Sequence, residues 1–233
     1  MGVIYLVRHG QADPRAYGVN GADAQSASGE IGGLTETGVV QAALTGGLLA
    51  AQTAGFTAAI SGDLPRQRDT LAGVLGRTQT PPTASIDPRW NEYELPALIG
   101  EASAAEYADG RSYQQRIDAS LARWITETGH RGATADSGES YAQFRSRVAD
   151  ASAAAAELAG SAQTVLVVSS AGVISQWIAD LWGVPPQNWP TVSRAMVNAS
   201  VTKLIVGRHG VSVVSFNEHA HLDDRDGGVA TFR

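Results

Sequence analysis

The 233-residue sequence contains no cysteine. Without a thiol, the protein has no disulfide bond, no thiolate nucleophile and no cysteine-ligated metal site. An excess of basic residues is also lacking, because 17 Lys and Arg stand against 23 Asp and Glu and give a net charge of -6. Since nucleic acids and anionic membranes attract basic proteins, we expect neither as a partner. An anionic substrate then has to be bound by local arginines.

Long apolar runs are lacking as well. The apolar segment at residues 1–7 is too short for the apolar region of a signal peptide, has no basic residue ahead of it and leads directly into Arg8. No stretch of about 18 apolar residues follows, so we predict no membrane-spanning helix. These features predict a cytoplasmic protein. They indicate no oligomeric state, and a homodimer is one arrangement left open.

Three short apolar runs, at residues 3–7, 56–60 and 164–168, are typical of strands buried on both faces of a parallel sheet. Two further runs, at 201–206 and 211–216, flank a turn that contains glycine. They predict a hairpin, which adds an antiparallel edge to the sheet.

Helical patterns alternate with these strands. Thr35 is placed to cap a helix on which Val40, Leu44 and Leu48 recur at a spacing of four residues. Further helical patterns lie at residues 64–75, 141–160 and 170–181. The alternation predicts an α/β fold of three layers, α/β/α, in which a mixed but mostly parallel sheet lies between helices.

Residues 96–136 are rich in Ala, Gly and polar residues and have only weak periodicity. Such a stretch inside an alternating α/β pattern suggests an inserted helical lobe or lid. We therefore expect one domain over residues 1–233, with a helical insert at about 96–136.

The tripeptide Arg8-His9-Gly10 follows the first predicted strand, and ligands of open α/β sheets bind beyond the carboxyl ends of strands. Neutral imidazole is a good nucleophile near neutral pH, and a guanidinium group binds phosphate in bidentate fashion. Gly10 lets the backbone approach a ligand closely. The tripeptide thus suits phosphoryl transfer, although a solvated strand end fits it equally well.

The same tripeptide recurs at Arg208-His209-Gly210. This copy lies in the predicted hairpin turn, where glycine and polar residues are favoured for structural reasons. We assign it no catalytic role. The position along the fold, and not the string of letters, distinguishes the two copies.

Two further residues are candidates for phosphate chemistry. Arg66 falls in the first turn of its predicted helix, where the macrodipole favours an anion over a cation, and a bound phosphate would resolve the mismatch. An exposed arginine that reaches into water is the alternative.

Glu92 has the aromatic neighbours Trp90 and Tyr93, and partial burial would raise its pKa toward that of a general acid. An ordinary loop glutamate fits the same pattern.

Six segments of the chain carry a resemblance to a known family: residues 6–10, 34–38, 61–70, the surroundings of Glu92, 138–140 with Arg147, and 167–172. Taken in this order, they resemble the histidine phosphatase superfamily, also called phosphoglycerate-mutase-like. The likeness extends over nearly the whole chain, and the stretch at 96–136 falls where that family carries a variable helical insert.

The resemblance implies a phosphomonoester hydrolase that acts on a small phosphorylated metabolite. His9 would form a phosphohistidine, Arg8 and Arg66 would hold the phosphate oxygens, and Glu92 would protonate the leaving oxygen and then activate water. No metal and no cofactor is implied, since guanidinium groups supply the stabilising charge. A phosphotransferase of the phosphoglycerate-mutase type is the alternative within the family.

One position departs from the family pattern. The chain has Ser169-Ser170-Ala171-Gly172 where the family has Ser-His-Gly-Gly, so Ser170 replaces a histidine that binds phosphate. A neutral hydrogen bond in place of a charged one lowers the expected rate by roughly ten- to a hundredfold. A catalytically weakened, phosphate-ester-binding or regulatory protein is therefore a second hypothesis. Ser170 is also placed to cap the following helix, and His130 is a candidate for reaching the pocket from the insert.

His219 and His221 lie among carboxylates near the C-terminus, which suggests a third hypothesis, a metal-dependent hydrolase. The two positions share one side of a strand, as a pair of metal ligands would. The family resemblance, however, continues through Asn217 and the His221-Leu222 pair. We therefore favour no metal at these residues.

Overall fold

The computed structural model describes residues 1–20, 26–127, 138–223 and 228–232. Its strands belong to a six-stranded sheet and a small two-stranded one. In chain order they are β1 (Gly2–Arg8), β2 (Val19–Asn20), β3 (Ala58–Ser61), β4 (Ala84–Ile86), β5 (Ala102–Ser103), β6 (Thr164–Ser169), β7 (Val201–Gly207) and β8 (Gly210–Glu218).

The large sheet has the strand order β4-β3-β6-β1-β7-β8. Neighbours among β4, β3, β6 and β1 pair in parallel, whereas β7 pairs antiparallel with both β1 and β8. The predicted mixed, mostly parallel sheet with an antiparallel edge is confirmed. Arg8 at the end of β1 lies opposite Ser169 of β6, and Ser61 of β3 lies opposite Val168. The carboxyl ends of these strands therefore meet at one edge of the sheet.

The helices, in chain order, are α1 (Glu36–Gln52), α2 (Pro65–Leu75), α3 (Leu95–Ile99), α4 (Ala104–Ala108), α5 (Gly110–Thr126), α6 (Tyr141–Leu158), α7 (Ala171–Leu181) and α8 (Trp189–Arg194).

Alternate side chains of β1 point to opposite faces of the sheet. Ile4 and Leu6 join a buried cluster with residues of α6 and α7, and Tyr5 and Val7 join another with residues of α1 and α2. The sheet thus lies between two layers of helices, as predicted.

Helix α1 begins after Thr35, whose Oγ1 accepts a hydrogen bond from the Gly38 N–H, as the sequence predicts. The buried face of α1 is not the one that carries the apolar spacing. Val40 and Leu44 are exposed, and the buried stripe contains Gln41, Thr45 and Leu49, one residue further along. Two of these three are polar, so the apolar spacing of four predicts the helix but not its buried side.

The predicted insert contains helices α3, α4 and α5, and the part of it after residue 127, with His130, lies outside the described residues. Strand β5 of the insert pairs with β2, in the loop that follows β1. Ile99 and Tyr113 pack with Val19 in a small buried cluster. The insert is therefore held against the segment that follows His9.

The hairpin of β7 and β8 closes at Gly207 and Gly210, with Arg208 and His209 exposed in the turn. The structural interpretation of the second Arg-His-Gly is thereby confirmed. Within the described ranges, no helix is both long and apolar enough to cross a membrane.

Candidate active site

His9 follows β1 directly and is 2% exposed. Its backbone N–H donates to the Ser169 carbonyl at 2.8 Å, and its own carbonyl accepts from the Asn198 amide at 3.1 Å. The ring nitrogen Nδ1 lies 2.7 Å from the Gly10 carbonyl oxygen. Because a carbonyl only accepts, the proton of the neutral ring is on Nδ1 and the lone pair is on Nε2. The backbone thus fixes which nitrogen can act as a nucleophile.

Arg66 donates from Nε to Nε2 of His9 at 3.2 Å. It is the second residue of α2, as predicted, and its guanidinium group lies over the Tyr17 ring at 5.5 Å. Burial lowers the pKa of the His9 imidazole well below its usual range, and the charges of Arg66 and Arg8 lower it further. His9 is therefore neutral, with its lone pair directed at an arginine.

Gly10 makes a close backbone approach to α1, and its approach to a ligand stays a prediction. A Cβ at this position would collide with the carbonyl oxygen of Gly38 in α1. The Gly10 N–H donates to Thr70 Oγ1 at 3.0 Å, which fastens the turn after His9 to α2. The glycine therefore allows α1 to pack against this turn.

Arg8 is buried at the end of β1. Its Nη1 donates to the backbone carbonyls of Met196 and Phe232, the latter at 3.1 Å. A guanidinium group has five N–H donors, so the contacts of Nη1 leave those of Nη2 for a ligand, whereas Nε is buried without a hydrogen-bond partner. Arg8 and Arg66 both line a cavity of about 530 Å³.

Glu92 lines the same cavity and approaches it from the segment before α3. Its Oε2 accepts from the Gly172 N–H in the first turn of α7 at 2.9 Å, and its Oε1 accepts from the Tyr93 N–H at 3.2 Å. A Cβ at Gly172 would collide with this carboxylate, so glycine is required for the approach. Burial raises the pKa of the Glu92 carboxyl, opposed by the Gly172 hydrogen bond and by Arg66.

Ser170 occupies the N-cap position of α7, but its side chain makes no capping hydrogen bond, so that prediction was wrong. The fully buried Oγ accepts instead from Nε2 of Gln67 at 2.9 Å. The Gln67 amide also donates to the Trp90 carbonyl at 3.0 Å, which accepts from Ser169 Oγ at 2.6 Å. The two serines and Gln67 thus fasten the segment before Glu92 to the end of β6. Phosphate binding by Ser170 stays a prediction.

Arg147 of α6 holds the same segment from its other side. Its Nη1 donates to the carbonyls of Arg89 at 2.8 Å and Asn91 at 2.7 Å. Its Nε donates to Oε2 of Glu139 at 3.0 Å. Both Glu139 and Arg147 belong to the segments that carry the family resemblance. The contacts give them a physical role, which is to fix the backbone that leads into Glu92.

Replacing Arg147 with alanine is expected to lower the free energy of unfolding by about 2–4 kcal/mol, because two carbonyls and a carboxylate lose a charged donor. Arg145→Ala is the matched control, since Arg145 of the same helix forms a surface ion pair with Asp180. Such a pair contributes about 0–1 kcal/mol. Urea unfolding of both variants gives the comparison, and equal losses would contradict the role of Arg147.

The two C-terminal histidines have separate partners. His219 donates from Nδ1 to the Asn217 carbonyl at 2.7 Å, whereas Nε2 of His221 lies 2.9 Å from Thr45 Oγ1. In the part of the chain that the structure describes, no group of three or more His, Asp or Glu is arranged to hold a metal ion. The hypothesis of a metal-dependent hydrolase gains no support from these contacts.

Several residues at the site were missed in the sequence. Phe232 lines the cavity and reaches Arg8 through its carbonyl, and Gln41 holds that C-terminal segment by donating to the Val229 carbonyl at 2.6 Å. No local pattern signals either contact. Gln67 did carry a signal, because it is a polar residue on the buried stripe that continues through Leu71 and Val74.

Among solved structures, the chain is similar to a mycobacterial glucosyl-3-phosphoglycerate phosphatase (23% identity, TM-score 0.62, 94% of this chain and 100% of the other). It is also similar to a phosphoserine phosphatase from Entamoeba histolytica (20%, 0.64, 95% and 100%) and to YhfR from Bacillus stearothermophilus (20%, 0.69, 95% and 99%). At these identities the likeness establishes the fold.

A search among curated proteins found no match. A family model matches residues 4–219, which is nearly the whole chain, and its description is the histidine phosphatase superfamily, branch 1. The matched range contains His9, Arg66 and Glu92. The chain belongs to the histidine phosphatase superfamily, branch 1.

Proposed function

We propose that this protein is a phosphomonoester hydrolase that carries the phosphoryl group on Nε2 of His9. The observation that carries the proposal is the neutral His9 ring, whose Nδ1 is fixed by Gly10 and whose Nε2 faces Arg66. Glu92 lines the same cavity as Arg66, with a raised pKa. Two structural neighbours are themselves described as phosphatases of small phosphorylated metabolites, which supports the same reaction here.

In the first step, the Arg66 guanidinium turns from Nε2 of His9 to the phosphate oxygens, which frees the lone pair. Nε2 attacks phosphorus, and the bond from phosphorus to the ester oxygen breaks. Glu92 gives its proton to that oxygen, so the alcohol part of the ester leaves as a neutral molecule. Arg8 and Arg66 stabilise the charge on the three remaining oxygens, and the Gly10 carbonyl stabilises the cationic ring through Nδ1–H.

In the second step, the Glu92 carboxylate takes a proton from a water molecule as that water attacks phosphorus. The bond between Nε2 and phosphorus breaks, and inorganic phosphate leaves. His9 returns to the neutral form and Glu92 to the protonated form. The cycle consumes one ester and one water, and each proton lost by Glu92 in the first step is regained in the second.

The test is phosphate release from a panel of phosphomonoesters in the presence of EDTA. The reaction is also quenched in base, because phosphohistidine is labile in acid, and the peptide containing His9 is examined by mass spectrometry. We expect turnover that survives EDTA and a phosphoryl group on His9. Failure to hydrolyse any ester, or turnover without modification of His9, would overturn the proposal.

A weakened enzyme is the second candidate, and the replacement at Ser170 favours it. Restoring the histidine with Ser170→His is expected to raise kcat by about ten- to a hundredfold, with a smaller change in the Kd of inorganic phosphate. Ser170→Ala is the control, because it removes the Gln67 contact without adding an imidazole. An unchanged or lower kcat in a variant that unfolds at the parent's temperature would argue against a simple loss of rate.

In the proposed enzyme, one domain covers residues 1–233, with a helical insert at about 96–136. The substrate is a small phosphorylated compound, with neither nucleic acid nor membrane as a partner. The cytoplasm remains the predicted location.

A further inference from the structure

The cavity above the arginines is much larger than a phosphate group needs. Its volume of about 530 Å³ lies within the range of sites that enclose a whole organic ligand. Arg8, Arg66 and Glu92 line it together with residues of the insert and of α8. The remaining space therefore has to hold the alcohol part of the ester. The residues that line it indicate which kind of alcohol fits.

These walls are mainly apolar or aromatic. Helix α5 contributes one apolar row, because Ile117 and Leu121 are four residues apart and lie on one face of the helix. Tyr93 precedes α3 and lies next to the catalytic Glu92. The side chains that form this part of the lining are Tyr17, Tyr93, Leu95, Tyr113, Ile117 and Leu121. Walls of this kind bind an apolar or ring-containing group by removing its surface from water.

The charged residues of the lining also favour an uncharged alcohol part. Among the described lining residues, the cations are Arg8, Arg66 and Arg194, and the proposed mechanism assigns the first two to the phosphate group. Arg194 of α8 donates to Asp118 of α5, with Nη2 and Oδ2 2.8 Å apart. No unpaired cation in this set is left for a carboxylate or a second phosphate on the substrate. Glu94, at the cavity wall, adds a negative charge.

We propose, as an extension of the phosphatase function above, that the substrate is a phosphate monoester of an uncharged, largely apolar alcohol that contains at least one ring. The apolar wall of α5 and the Tyr113 ring enclose the alcohol, while the pairing of Arg194 with Asp118 disfavours acidic esters. Phosphorylated amino acids and phosphoglycerates are therefore poor substrates. This specificity differs from that named for two of the structural neighbours.

The first test compares 2-phenylethyl phosphate, ethyl phosphate and O-phosphoserine. All three release a primary alcohol, so differences in kcat/KM mainly report contacts of the alcohol part. We expect kcat/KM for the phenylethyl ester to exceed that for the ethyl ester by about ten- to a hundredfold, from burial of one ring. If kcat/KM for phosphoserine exceeds that for the phenylethyl ester, the proposed substrate class is wrong, whereas the phosphatase function stands.

A binding measurement separates the two proposals if no ester is hydrolysed. Calorimetry with 2-phenylethylphosphonate and ethylphosphonate needs no turnover, because the phosphonate cannot be cleaved. Tighter binding of the phenylethyl compound supports the apolar subsite even where the phosphatase function has failed. Equal binding of the two phosphonates overturns the subsite.

Filling the cavity provides a variant test. Ile117→Trp is expected to lower the ratio of kcat/KM for the phenylethyl ester over the ethyl ester by about tenfold or more, since the new ring takes the space of the substrate's ring. The matched control is Leu44→Trp, which adds the same ring on the exposed face of α1. An Ile117→Trp variant that melts with the parent and keeps its ratio would contradict the proposal.

A second variant is designed to gain an activity. Asp118→Ala leaves Arg194 without its carboxylate partner, so kcat/KM for O-phosphoserine is expected to rise by about two- to fivefold, a modest effect because the pair is partly exposed. Asp180→Ala, which breaks the ion pair with Arg145 outside this cavity, is the control. No gain from Asp118→Ala, or an equal gain from both variants, contradicts the role given to Arg194.

Discussion

Replacing His9 with alanine is expected to lower kcat for every phosphomonoester by roughly 10⁴- to 10⁶-fold, the scale on which an enzyme loses its nucleophile. Nε2 of His9 is the nitrogen that carries the lone pair, which accepts a hydrogen bond from Arg66 Nε in this structure. The arginines remain in the variant, so the Kd of inorganic phosphate should change far less than kcat. Steady-state kinetics and calorimetry on the same preparation measure both quantities.

The chain carries its own control for this experiment. His209 belongs to the second Arg-His-Gly, which is exposed in the hairpin turn, so His209→Ala should leave kcat within the error of the parent. Phosphoryl trapping should be lost from His9→Ala and retained by His209→Ala. A His9 variant that turns over within about tenfold of the parent rate would reassign the nucleophile.

The difference between the two tripeptides also shows what could be predicted from the sequence. Strands β1, β3 and β6 were predictable because their continuous apolar runs are local signals, and parallel strands bring their carboxyl ends to one edge. The shared location of Arg8, His9 and Arg66 at this edge could therefore be predicted from the strand ends alone. Their separation in the sequence does not matter, because the fold class determines where each strand ends.

Polar contacts between distant segments could not be predicted in the same way. Gln41 and Thr45 lie on the buried face of α1 because their partners are the Gln11 N–H and the Ala199 carbonyl. An apolar period cannot reveal such a face, since its residues are polar. Ser170 is a similar case, because its partner Gln67 lies on another helix and the sequence around Ser170 contains no signal of this hydrogen bond.

The predicted pH dependence follows from two shifted groups. Burial raises the pKa of the Glu92 carboxyl, so Glu92 keeps its proton to a higher pH than an ordinary glutamate. Burial and two arginines lower the pKa of His9, so its ring stays neutral to a lower pH than an ordinary histidine. Activity needs neutral His9 and protonated Glu92. It should therefore fall at low pH as His9 gains a proton, and at higher pH as Glu92 loses one.

Glu92→Gln is expected to lower kcat for alkyl phosphates by about 10²- to 10⁴-fold, because glutamine cannot give a proton to the leaving oxygen. The loss should be much smaller for 4-nitrophenyl phosphate in the step that forms phosphohistidine, since its phenolate leaves without a proton. The high-pH decline should disappear from the rate of that step, while the low-pH decline due to His9 remains. Rapid-mixing measurements of nitrophenolate release across the pH range give this rate.

Glu157→Gln makes the same chemical change on the exposed surface of α6 and should alter neither the rate nor the pH profile. An equal loss for alkyl and nitrophenyl esters in Glu92→Gln would mean that Glu92 acts on something other than the leaving oxygen. Its hydrogen bond to the Gly172 N–H suggests what that would be, because a carboxylate at the start of α7 also fixes the end of β6 beside His9. The selective loss, by contrast, ties the raised pKa to proton transfer, because only a group that gives up its proton distinguishes a poor leaving group from a good one.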